Sequence, residues 1–181
     1  IKMIIRIATP KDAERLVDIY SYYVENTTVT FEYDVPTTEE FRQRIENTLK
    51  KFPYLVAEDN RIIKGYCYAS PFKTRKAYSW SVETSIYVDK DSHGQGIGTM
   101  LYNKLEDYLK KQNVININAG ISYPNDDSVA LHLKLGYKKV AHFEKCGYKL
   151  GKWVDVIWME KFIGEHTDNP KQVIPFPELI K

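Results

Sequence analysis

The chain has 181 residues, 43% hydrophobic and 28% charged, at a mean hydropathy of -0.45; that composition encloses one core and excludes a disordered chain. Lys plus Arg number 26 against 24 Asp plus Glu, a net charge of +2, too balanced for a nucleic-acid or anionic-membrane partner. No apolar run reaches the ~20 residues of a membrane span.

The opening Ile1-Lys2-Met3-Ile4-Ile5-Arg6 is charged too soon for a secretory leader. Residues 3–8 alternate as a short strand. Thr9-Pro10-Lys11-Asp12 reads as a helix start, and Ala13, Leu16, Val17, Tyr20 and Tyr23 follow at helical spacing. Thr37 and Glu40 form a capping-box pattern ahead of a second helix carrying Phe41, Ile45 and Leu49. Strands over 54–58 and 62–69 flank an Asp59-Asn60-Arg61 turn, and a further strand covers 82–88. Ile97, Leu101, Leu105, Tyr108 and Leu109 mark a helix. Val114 to Ile121 follows as a strand, Ser128 to Leu135 as a short helix, and strands lie near 138–145 and 153–160. The order is βααβββαβαββ, an α+β class with one parallel crossover. One domain over 1–163 is expected, with 164–181 as an irregular tail packed on its surface.

The sharpest motif is His93-Gly94-Gln95-Gly96-Ile97-Gly98-Thr99, between a strand and a helix. Backbone amides without bulky side chains converge there on a phosphate, and the helix N-terminus adds about half a positive charge. A plain turn before a helix accounts for the glycines equally well. A P-loop needs Lys and then Ser or Thr after its last glycine, and Gly98 is followed by Thr99 and Met100, with no Lys. A dinucleotide fingerprint opening at Gly94 needs a glycine at 99, which is Thr99. ATP hydrolysis and hydride transfer both lose ground.

The window from His93 to Gly98 resembles the Gln/Arg-x-x-Gly-x-Gly/Ala signature of the GNAT acetyltransferase family, with His93 where the family has Gln or Arg. The run Asn125-Asp126-Asp127-Ser128 through Gly136-Tyr137 is similar to the family's later motif. Three further stretches resemble the phosphinothricin and methionine sulfoximine acetyltransferase subgroup: Thr30-Phe31-Glu32, Arg75 to Tyr78 with Val82 to Val88, and Gly147 to Asp155. The resemblance runs from about residue 3 to residue 162. It implies the GNAT fold, a mixed and mostly antiparallel sheet flanked by helices, with acetyl-CoA as cosubstrate and a homodimer. The amides of Gly94, Gln95, Gly96, Ile97, Gly98 and Thr99 would hold its diphosphate. Ile86, Tyr87 and Val88 would pair with the pantetheine through main-chain groups, and Asn125 and Ser128 would contact the same arm. Ile86 and Val88 serve equally as core, and Asn125 as a helix cap.

An amine acceptor must lose a proton before it attacks. Glu83 is the base that the resemblance implies, and alternation puts it on one strand face with Ser81 and Ser85. His132 stands where relatives place an acid for the departing thiolate; a histidine packed on a helix face is the competing reading. A carboxylate on the acceptor calls for a guanidinium, and Arg75 with Tyr78 is the candidate pair. Phe31, Glu32, Lys73, Thr74, Thr84 and Ser85 complete the acceptor set that the resemblance implies, although Phe31 suits the core and Arg75 a surface loop. Cys67 and Cys146 cannot build a disulfide framework, and no His spacing points to a metal, so none is expected. A cytoplasmic N-acetyltransferase for a small amino-acid-like amine is the leading reading. The alternatives are another small amine, an antibiotic or a protein N-terminus as acceptor, or an acyl-CoA sensor without turnover.

Overall fold

Apolar side chains alternate along the strands, and each of the two sheet faces they create has its own helical cover. The computed structural model describes residues 2–181; Ile1, where the expected domain and the leader reading begin, lies outside the described residues. Seven strands form one sheet in the order β1-β2-β3-β4-β5-β7-β6. They are β1 Met3–Ile7, β2 Tyr54–Asp59, β3 Ile62–Pro71, β4 Ser81–Val88, β5 Asn116–Tyr123, β6 Lys138–Lys149 and β7 Lys152–Phe162. All neighbours pair antiparallel except β4 and β5. That pair is parallel because helix α3, Ile97–Lys111, carries the chain back across the sheet between them.

One face buries Leu55, Ala57, Cys67, Ala69 and Val82 under the α3 stripe of Leu101, Leu105 and Leu109. The other buries Tyr54, Val56 and Tyr66 under α1, Ala13–Asn26, and α2, Thr38–Leu49, through Leu16, Tyr20, Phe41 and Ile45. The α2 capping box forms as read: the Glu40 amide donates to Thr37 Oγ1 at 3.1 Å, and the Thr37 amide donates to Glu40 at 3.0 Å. A tight helical turn over Pro10–Asp12 precedes α1, and the Asp12 carboxylate accepts from the Thr9 amide at 2.8 Å. The β2–β3 turn holds Asn60 and Arg61 at φ 50° and 64°, the left-handed pair that a two-residue hairpin demands.

Three boundaries differ from the sequence reading. β5 begins at Asn116, not Val114, because the Val114 amide closes α3 on Leu109 and the Ile115 amide bonds the Trp80 carbonyl. Both residues are buried, so hydropathy alone extends the strand. Helix α4 covers Asp126–Lys134, two residues earlier than its apolar positions, since Asn125 caps it. β6 and β7 run longer than expected, with irregular register between Phe143 and Gly147.

The tail is not wholly irregular: Phe176–Leu179 forms a helical turn, α5, and Phe176 is fully buried against Tyr108, with ring centroids 5.1 Å apart. Buried Gln112 binds this strap, donating from Nε2 to the carbonyls of Lys51 and Ile174, both at 2.8 Å. Asn113 Nδ2 donates to Gln172 at 2.9 Å, and Trp80 Nε1 to Lys171 at 2.8 Å. Replacing Phe176 by Ala removes a ring that nothing else fills. The Phe176→Ala chain should lose about 3 kcal/mol in a urea unfolding curve; a loss within error of zero would show that the strap is merely laid on the surface.

Candidate active site

β4 and β5 are paired over only three residues, Ser81, Glu83 and the Val82 between them, opposite Asn116 to Asn118. Beyond Glu83 the strands part, whereas β4 stays paired to β3 along its whole length. A narrow cavity of ≈ 60 Å³ occupies the split, lined by Ser85, Ile86 and Tyr87 on one side, Gly120 and Ile121 on the other, and His132 behind. The stretch Ile86–Val88 therefore presents main-chain groups toward open space on its β5 side.

Val88 leads into the glycine loop. Gly94 and Gly96 have φ of 78° and 75°, conformations that L side chains avoid, and nothing lies within 4 Å of where their Cβ atoms would stand. The loop is thus bent for its own geometry and open above. Gly96 is the N-cap of α3 and offers no side-chain cap, and the helix's first turn carries no acid. Among the described residues, the amides of 94–99 donate to no protein acceptor. Free convergent amides at a helix start bind phosphate oxygens. Gly98 differs: a Cβ there would stand 3.0 Å from Leu131, so its role is to let α3 and α4 approach. His93 turns back to the fold. Its Nε2 lies 2.9 Å from the Tyr23 hydroxyl, which itself donates to the Val88 carbonyl.

Glu83 lies half-buried on the β4 face shared with Ser81 and Ser85. Its carboxylate has no hydrogen bond or ion pair among the described residues, and burial pushes its pKa up, with Lys73 pulling partly back. Thr84 points the opposite way: it is 4% exposed, and its Oγ1 lies 3.1 Å from the Tyr137 hydroxyl on the α4 side. The structure thus separates Thr84 from Glu83, as a period of two requires. Glu32 is already engaged: Arg44 grips it at 2.6 and 3.0 Å and Tyr20 donates to it at 2.8 Å. Phe31 packs against Gly147 of β6, where a Cβ would stand 2.4 Å from its ring. Lys73, Thr74, Arg75 and Tyr78 gather at the start of β4 around a larger cavity of ≈ 300 Å³.

His132 is 2% exposed and both ring nitrogens are engaged. Nδ1 lies 2.7 Å from the Ser128 carbonyl, which can only accept, so Nδ1 carries the proton; Nε2 then accepts from the Tyr102 hydroxyl at 3.2 Å. Burial lowers its pKa, opposed by the Ser128 carbonyl. Asn125 caps α4, accepting from the Ser128 amide at 3.3 Å, and also lines the cavity. Tyr102 escaped the sequence reading because its neighbour Leu101 carries the apolar stripe; its place one turn after Gly98 was the available signal. Arg44 was missed for lack of any motif, and Lys149, whose Nζ donates to the Thr30 carbonyl at 2.7 Å, lies in the Gly147 to Asp155 stretch but carried no role there. No group of three or more His, Cys, Asp or Glu among the described residues can hold a metal ion, and no described helix is long and apolar enough to cross a membrane.

A phosphate cradle beside a parted parallel pair, with an unpaired carboxylate at the branch point, is the arrangement of an acyltransferase. The chain belongs to the GNAT acetyltransferase family: the model for the acetyltransferase (GNAT) domain matches residues 5–158. It is 36% identical to the phosphinothricin N-acetyltransferase of Streptomyces viridochromogenes over 97% of this chain and 95% of that one. It is 29% identical to the L-methionine sulfoximine/L-methionine sulfone acetyltransferase of Salmonella typhimurium, over 91% and 97% of the two chains. A crystal structure of a phosphinothricin acetyltransferase from Sinorhizobium meliloti, in complex with AcCoA, superposes with a TM-score of 0.91 at 32% identity, covering 97% of both chains.

The hydrogen bonds of His132 fix its state. An imidazole 15N titration should show the Nδ1–H tautomer, with a pKa below the 6.5 of a free ring. A ring that is charged at pH 7 would contradict the pairing with Tyr102.

Proposed function

We propose that the protein transfers the acetyl group of acetyl-CoA to the amine of a small amino-acid-like acceptor of the phosphinothricin or methionine sulfoximine type. The observation that carries this reading is the parting of β4 from β5 immediately after Glu83. The free amides of 94–99 and the open space over Gly94 and Gly96 fit a diphosphate, and the β4 edge at Ile86 and Tyr87, with Val88 after them, which has no β5 partner, fits a pantetheine arm. Asn125 and Ser128 border the same channel. Acetyl-CoA supplies a thioester already activated toward an amine.

Glu83 takes the proton from the acceptor ammonium, directly or through water. A carboxyl raised by burial is a better base than one in open solvent, which suits transfer from an amine near neutral pH. His132, with the Tyr102 hydroxyl that donates to its Nε2, is the pair that would return a proton to the departing coenzyme A thiolate, so that coenzyme A leaves as the neutral thiol. Lys73, Thr74, Arg75 and Tyr78, with Ser85 beside Glu83, receive the acceptor, and the Arg75 guanidinium suits a carboxylate. Phe31 and Glu32 cover that side, Glu32 through its hold on Arg44 and Tyr20. A homodimer is supported by the edge strand β6 and its hairpin tip, which expose Val140, Phe143, Tyr148 and Trp153. Two free thiols, Cys67 and Cys146, support a cytoplasmic location.

Thiol release from acetyl-CoA with a panel of amino acids and their sulfoximine and phosphinate analogues tests the reading. Turnover restricted to peptide N-termini would reassign the acceptor, and binding without turnover on any amine would make the protein a sensor. Glu83→Gln should lower kcat about 100-fold. The base must be ionised to work, so wild-type kcat/KM should rise with pH through a value above the ordinary carboxylate range, and the variant should lose that limb. Gly96→Val, which forces a β-branched residue to φ 75°, should raise the acetyl-CoA KM far more than that of the acceptor; equal changes would remove the loop from coenzyme binding.

A further inference from the structure

The ≈ 300 Å³ cavity at the start of β4 has the size of a small-ligand site, and three separate segments wall it. Lys51 comes from the stretch after α2, Lys73 and Arg75 from the loop joining the antiparallel neighbours β3 and β4, and Gln172, Val173 and Pro175 from the C-terminal strap. Its lining includes three cationic side chains and no carboxylate. Among the described residues, Lys51, Lys73 and Arg75 make no ion pair. Three uncompensated cations around one concavity attract an anion, and neighbouring cations repel one another until it arrives.

The cavity also lies near the base, although Glu83 does not line it. Ser81 lines it and shares a strand face with Glu83, two residues further on, a separation of about 7 Å. Lys73 lines it as well, and its charge is felt by the Glu83 carboxyl. A ligand anchored beside Ser81 and Lys73 would thus stand within a few residues of the proposed base. The strap wall is held before any ligand binds: Gln112, Asn113 and Trp80 fix the strap by side-chain hydrogen bonds from 2.8 to 2.9 Å, and Phe176 is buried beyond it. A wall already ordered adds affinity without an ordering cost.

Resting on the function proposed above, we infer that the Lys51 and strap side of this cavity is a second anion subsite beside Arg75, for the end of the acceptor remote from its amine. Lys51 and the strap residue Gln172 set a preference for acceptors that carry a carboxylate, phosphinate or sulfonate there. Lys51 supplies the charge, Gln172 an amide donor, and Val173 and Pro175 the apolar surface for the connecting methylenes.

The test compares kcat/KM for two acceptors of similar size, glutamate and glutamine, in wild type, Lys51→Gln, Lys51→Glu and Gln172→Ala. The glutamate-to-glutamine ratio should fall about tenfold in Lys51→Gln, the effect of one charged hydrogen bond, and further in Lys51→Glu. Gln172→Ala should move the ratio in the same direction by a smaller factor, while the acetyl-CoA KM changes less than twofold in all three. A ratio that stays within twofold of wild type in both Lys51 variants would overturn the subsite, as would a wild type that acetylates only glutamine. If wild type acetylates no amine at all, the proposed function itself fails, and that outcome is distinct from the first two.

Discussion

Everything in this site depends on how briefly β4 and β5 stay together. Parallel strands joined by a crossover helix ordinarily pair along their length, but here the ladder stops after Glu83. On the α3–α4 face of the split stands a wedge of rings: Tyr102, His132 and Tyr137, with centroids 4.9 to 6.1 Å apart. Their polar atoms satisfy one another and Thr84, so the wedge is buried without an unpaired hydroxyl. Polar groups so well matched cannot be withdrawn cheaply. Gly98 completes the arrangement by letting α4 lie against α3 at Leu131. The open edge of β4 is thus backed by a packed, satisfied layer on its α3–α4 face.

That division sorts the chemistry by sheet face. Thr84 and the wedge occupy one face; Glu83 and Ser85 occupy the other, together with Tyr68 and Tyr87. The second face is walled by stacked and edge-on tyrosines, Tyr54, Tyr66, Tyr68, Tyr87 and Tyr20. Such a wall excludes water, which is why the Glu83 carboxyl is raised while Glu32, on the same side, is lowered. Burial raises Glu32 too, but Arg44 and Tyr20 outweigh it. Two carboxylates on one side of the sheet are thus driven apart: one stays an ion tied to a guanidinium, the other is left without a partner, as the proposed base requires.

Much of this was legible in the residues. Helix stripes, the α2 capping box, the glycine loop and the face shared by Ser81, Glu83 and Ser85 all follow from local spacing. What local spacing cannot express is partnership across the chain. Val114 and Ile115 read as strand because burial and strand pairing give the same hydropathy. Thr84 belonged by motif to the acceptor group, yet its own alternation turned it away. His132 was legible as a position but not as a state, because its tautomer is set by a carbonyl four residues back and a hydroxyl thirty residues back. Phe176 and the strap carry no periodic signal at all; Trp80, Tyr108, Gln112 and Asn113, all more than fifty residues earlier, give them a place.

The strap closes the argument about where variation is tolerated. The coenzyme side of the site is built from backbone amides and main-chain edges, whose geometry constrains φ angles and close packing more than side-chain identity. On the same reading, the acceptor side is built from side chains of the stretch after α2, the β3–β4 connection and residues 172–175. None of these segments belongs to the β4–β5 split or to the loop at 94–99. A fold so divided would keep one donor chemistry while its acceptor pocket is rewritten, and the terminal segment pinned by Gln112 and Phe176 is one wall open to that rewriting.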